Sequence, residues 1–136
     1  YSERIAAEDM GMYEDNTLGD LGRLQAEMFR AVRLVVDTGM HAKRWSRERS
    51  IEYMLSKTGV TEAEVTREIE RYVVWPGQAT AYKVGQLYML RLRAMAEEQL
   101  GEAFDIREFH EMILLNGAMP LEILEESVIS WIDSQK

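Results

Sequence analysis

Apolar side chains recur along this chain at spacings of three and four, the period that turns one face of an α-helix toward a core. Leu21, Leu24, Met28, Val32 and Val35 form such a stripe after the turn-rich EDNTLGD. They predict a helix with that stripe inward, running to about Gly39 or a turn beyond. Ser46 is placed to cap a second helix, which carries Ile51, Met54 and Leu55 inward and stops near Gly59. Thr61 followed by Glu64 is a capping-box pattern opening a helix through about Val73. The segment WPG then breaks the periodicity.

From Pro76 to Leu100, Tyr82, Gly85, Met89, Leu92 and Ala96 lie on one stripe and predict the longest helix, ended by Gly101. Asp105 with Glu108 repeats the capping pattern ahead of Phe109, Met112 and Ile113, and Gly117 supplies a left-handed stop. Pro120 begins a last helix whose buried side is Leu121, Leu124, Val128, Trp131 and Ile132. The opening YSERIAAEDMGMY reads as the end of a helix that starts further upstream. No stretch alternates with period two for long enough to make a strand. The expected fold is all-α, an irregular bundle of six or seven helices and a partial domain of a larger helical fold. Residues 1–136 form a single helical region, without repeat, low-complexity segment or linker.

Composition narrows the function classes. At 136 residues, 46% hydrophobic and 29% charged, the chain has the size and balance of one globular domain. A net charge of −8 argues against nucleic acid as a partner, since that affinity comes from Lys and Arg on phosphates. The basic cluster of Lys43, Arg44, Arg47 and Arg49 around Trp45 is read as a solvated helix start. No apolar run is long enough for a membrane span. The absence of cysteine removes disulfides and thiolate metal ligands. The chain starts at Tyr1 without an initiator Met or a signal-type apolar core, which predicts a processed chain or part of a longer one.

Three familiar chemistries fail on the residues. In 110-HEMIL-114 the second imidazole of a zinc helix is replaced by Leu114, and neither His follows a Glu by three positions, so no metal ligands are assigned here. There is no Gly-x-Ser-x-Gly elbow and no glycine-rich phosphate loop. What remains is a polar stripe. Arg30, Arg33, Asp37 and His41 share one side of a continuous helix, and Arg30 and His41 differ by only about 20° of rotation. One reading is an Arg33–Asp37 pair on a solvated face; the other is a cavity wall that meets a substrate. In 75-WPGQATAYKVG-85, Tyr82 is either a core tyrosine or a phenol that hydrogen-bonds a tetrahedral oxyanion. Lys83 is either a plain exposed lysine or a partner for a substrate carboxylate.

Three stretches, RxxRLVVDTGMHAKRWSRE, RYVVWPGQATAYKVGQL and LGEAFDIREFHEMILLNGAMPLEILE, occur in order over residues 30–125. Together they closely resemble the C-terminal part of the bacterial "domain of unknown function 885" family. That resemblance, covering essentially the whole chain, implies much longer, largely helical proteins similar in fold to zinc metallopeptidases of the HExxH class. They carry a helix like HExxPGHH, whose glutamate would be the general base of peptide hydrolysis, and a segment like EGWALYSE with a third zinc ligand. Here 1-YSE-3 resembles the end of that second segment. The resemblance therefore implies zinc in a longer protein and no cofactor within these residues. It implies His41 and Tyr82 as oxyanion hydrogen-bond donors, Arg30, Arg33 or Lys83 as holders of a substrate carboxylate, and Gln78 as a guide for a peptide backbone. The expected partners are a missing N-terminal part, a peptide-like substrate, and another copy met through exposed apolar faces. The alternative is a non-enzymatic helical module for protein interaction or self-assembly.

Overall fold

Polar side chains start most of the helices in the computed structural model, which describes residues 1–136. Asn16 accepts from the Gly19 amide at 2.9 Å, Ser46 from Arg49 at 3.1 Å, Thr61 from Glu64 at 3.4 Å and Asp105 from Arg107 at 2.7 Å. Each answers an amide that the first helical turn leaves unbonded. The helices that follow are α1 (Ser2–Glu8), α2 (Thr17–Lys43), α3 (Arg47–Lys57), α4 (Glu62–Val74), α5 (Ala81–Leu100), α6 (Ile106–Leu115) and α7 (Leu121–Gln135). Single 3-10 turns at Gln78–Thr80 and Gly101–Ala103 precede and follow α5. The fold is all-α, as the periodicity predicts. No helix is long and apolar enough to cross a membrane. The chain forms two compact units, Tyr1–Val84 and Gly85–Lys136, and the division falls inside α5 where no linker composition marks it.

In the first unit α2 packs on α3 and α4, and the turn Gln78–Thr80 rests on α2. Val32, Val36, Ile51, Met54, Val65, Ile69, Tyr72 and Ala79 make its core. Two expectations change here. The longest helix is α2, with 27 residues against 20 in α5, because Pro76 sits in a turn and the helix waits until Ala81. The inward side of α2 is also rotated from the expected one. Val32 is buried, but Leu21, Leu24, Met28 and Val35 are exposed, while the polar Arg33 and Asp37 are buried with Val36.

In the second unit Leu92 and Ala96 of α5, Phe109 of α6, and Leu124, Val128 and Ile132 of α7 form a separate core. Tyr88 and Arg91 converge on Glu125 of α7, the guanidinium donating at 2.6 and 2.7 Å. The Arg91 bonds first and the Tyr88 phenol second hold the Glu125 carboxyl down from 4.5 to about 2. Such a group binds a proton less readily folded than unfolded, so its contribution is intact above about pH 4.5 and is lost as pH falls toward 2. Glu125→Gln is expected to flatten the decline of the thermal midpoint between pH 5 and pH 2. The flattening is partial, because Asp105, also held at about 2 by Arg107, keeps its own acid dependence. A variant with the wild-type decline would remove Glu125 from acid stability.

Candidate functional site

Sequence-distant groups meet beside α2 in an open cleft of about 520 Å³. Phe29 and Arg33 come from α2; Glu64, Arg67, Glu68 and Arg71 come from α4; Gln78 comes from the turn and Tyr82 from the first turn of α5. Glu68 is the hub of the α4 side. Arg71 donates to it at 3.1 and 2.8 Å, the Tyr72 hydroxyl donates at 2.6 Å, and Arg71 also donates to the Gln78 side-chain oxygen at 2.7 Å. The Arg71 bond is the main reason the Glu68 carboxyl lies below its usual range, with burial opposing. Burial first, then the bond to Glu68, pushes the Tyr72 phenol well above its ordinary value. Glu68 is therefore a fixed anion and Tyr72 a fixed donor.

Arg33 is 8% exposed and forms no ion pair, and its Nε is buried without a hydrogen-bond partner. The Tyr72 and Tyr82 rings flank its guanidinium, with centroids 5.4 and 5.5 Å away. The Arg33–Asp37 pair considered from the sequence does not form. Both carboxylate oxygens of Asp37, itself 3% exposed, accept from the Gly77 amide at 3.1 Å. That bond ties the WPG turn to α2, and Gly77 takes a φ of +82° that suits glycine. The turn in turn sets Gln78 and Tyr82 beside Arg33.

The rest of the DTGMH stretch holds the end of α2. A Cβ on Gly39 would stand 2.7 Å from the Trp45 ring, so only glycine lets that ring fold back onto the helix. Trp45 is kept there by its amide bond to the Gly39 carbonyl at 3.0 Å, by the Tyr53 ring at 5.4 Å and by Arg49 at 4.2 Å. His41 places Nε2 2.9 Å from the Tyr72 carbonyl, in the last turn of α4.

Of the residues singled out in the sequence, Arg33, Gln78 and Tyr82 share the cleft. Arg30 is paired with Glu3 at 3.0 Å and Lys83 with Glu27 at 2.8 Å, and His41 is engaged at the Tyr72 carbonyl. Sequence reasoning missed Arg67, Glu68, Arg71 and Tyr72. The 3-4 spacing of Glu68, Arg71 and Tyr72 on one helix is the signal that would have found them. No group of three or more His, Asp or Glu side chains stands together to hold a metal. The zinc that the family resemblance implies therefore finds no donor set among these residues.

No curated protein matches the chain. Among solved structures it is similar to the crystal structure of a candidate lipoprotein from Colwellia psychrerythraea, with 57% identity and a TM-score of 0.96. The match covers 98% of this chain and 23% of that one, so this chain spans less than a quarter of that protein's length. A family model described as "Bacterial protein of unknown function (DUF885)" matches residues 1–128, which agrees with the motifs at Arg30–Glu48 and Arg71–Leu87. The chain belongs to that family.

Proposed function

We propose that this chain is the cleft-bearing helical part of a longer zinc-peptidase-like protein and does not hydrolyse peptides alone. The observation that carries the proposal is the convergence of Arg33 with Gln78 and Tyr82, from two stretches some forty-five residues apart, on one cleft whose polar groups are positioned by partly buried hydrogen bonds. The larger body is supported by the similar Colwellia protein, of which this chain spans 23%. It is supported also by the outer side of α2, where Leu18, Leu21, Leu24, Met28 and Val35 lie exposed in a row that the remaining polypeptide would cover.

In this reading zinc, held outside these residues, would polarise the peptide carbonyl and activate the attacking water. The residues here supply binding and orientation. Tyr82, 63% exposed, offers its O–H to the oxyanion, Gln78 steadies the peptide backbone, and Arg33 holds an anionic end. His41 stands outside the cleft lining, with one ring nitrogen at the Tyr72 carbonyl, and is left as a second oxyanion donor to be tested, while Arg30 and Lys83 add positive charge although paired with Glu3 and Glu27. The same exposed row on α2 favours the second reading, a module that docks on a partner helix or another copy.

The test is to assay this chain and the longer gene product for bound zinc and for hydrolysis of a peptide library. Zinc and turnover in the longer product, with neither in this chain, are expected. A longer product without either, or stoichiometric zinc in this chain alone, overturns the proposal.

A further inference from the structure

The cleft contains a cation that the fold leaves unanswered. A buried donor without an acceptor costs about 1–3 kcal/mol, more when charged, and folds seldom keep one. Arg33 is such a group: it is nine-tenths buried, without an ion pair, and its Nε is unbonded. The nearby anions are committed elsewhere, Glu68 to Arg71 and Tyr72, and Asp37 to the Gly77 amide. The two phenol rings that flank the guanidinium stabilise a cation but accept no ordinary N–H bond, so its in-plane edge is left for a ligand.

The other uncommitted groups point to the same chemistry. Gln78 spends its side-chain oxygen on Arg71, which leaves its NH2 to donate. The Tyr82 hydroxyl forms no hydrogen bond, and Arg67 on the rim has no ion-pair partner. Donors thus outnumber acceptors, with Glu64 the one unpaired anion on the rim. A group that only accepts fits this arrangement, and the planar edge of a single guanidinium matches a planar carboxylate through two parallel bonds.

We infer that the cleft is a receptor for one carboxylate, with Arg33 as the residue that binds it. This deepens the proposed function and rests on the cleft facing substrate, but needs neither zinc nor turnover. The carboxylate comes either from the free C-terminus of a peptide or from an acidic side chain. Arg30 and Lys83 are set aside for this role because Glu3 and Glu27 already occupy them.

The decisive measurement is an NMR titration of the zinc-free protein labelled with 15N-arginine, following the Nε–H resonances. Four probes separate the outcomes: acetyl-Ala-Ala, its C-terminal amide, acetyl-Glu amide and inorganic phosphate. One Nε–H, identified by its disappearance in Arg33→Lys, is expected to move downfield and saturate with acetyl-Ala-Ala, with acetyl-Glu amide, or with both. Which of the two moves it names the source of the carboxylate. The neutral amide is expected to bind at least tenfold more weakly. Should Arg33→Lys fail to fold, the wild-type titration still decides, since the amide and the acid differ only in charge at one end. An Nε–H unmoved by either acid, equal binding of acid and amide, or phosphate binding as tight as carboxylate overturns the inference. Carboxylate binding without hydrolysis in the longer protein would remove the peptidase reading and leave this one standing; hydrolysis without carboxylate binding would do the reverse.

Discussion

Tyr82→Phe is expected to lower kcat for peptide hydrolysis by the longer protein about 10²–10³-fold, the usual cost of losing one oxyanion donor. KM should stay within a few-fold, because the ring that flanks Arg33 at 5.5 Å remains and only the hydroxyl is lost. The hydroxyl has no structural partner, so the thermal midpoint should not move. That makes a fall in kcat attributable to chemistry. An unchanged kcat would leave Tyr82 as a neighbour of Arg33 and nothing more.

His41 is constrained differently. A carbonyl only accepts, so the ring nitrogen that meets Tyr72 carries the proton, and the neutral imidazole has only an acceptor left on its other nitrogen. It can donate there only as the imidazolium.

The helices and caps were legible in the sequence because they depend on local rules. Ser46, Thr61 and Asp105 accept the amide bonds expected of caps, and Phe109, Val128 and Ile132 are buried as their period predicts. The inward side of α2 was not legible. Its apolar row of Leu21, Leu24, Met28 and Val35 is exposed, and Arg33 and Asp37 lie inside. Hydrophobic periodicity assigns polar residues to water, and it has no means of seeing that Gly77, forty residues away, satisfies Asp37. For the same reason a local Arg33–Asp37 pair was the natural first reading. The orphan state of Arg33, which the functional proposals depend on, follows only from that long-range bond. Pro76 misled in a related way: it suits a first helical turn, but the amide that follows it belongs to Asp37, and the chain turns before the helix begins.

Asp37→Ala is expected to destabilise the protein by about 1.5–3 kcal/mol in urea unfolding, the range for a hydrogen bond to a charged group. Two effects oppose each other. Removing a buried carboxylate relieves its desolvation, but both of its oxygens accept from the Gly77 amide at 3.1 Å, and that amide is left to water. Because Gly77 is exposed, water can reach it, which keeps the loss within this range rather than above it. Asp37→Asn retains one accepting oxygen in nearly the same shape and should cost about half as much. The larger consequence is for the cleft. Without the Asp37 tether the WPG turn is no longer fixed to α2, and Gln78 and Tyr82 lose their placement beside Arg33. Carboxylate affinity should therefore drop at least tenfold in the alanine variant at a temperature where it is still folded, and only slightly in the asparagine variant. An alanine variant that loses stability yet binds as tightly as wild type would mean that the turn is held by its own geometry, with Asp37 supporting the fold but not the site.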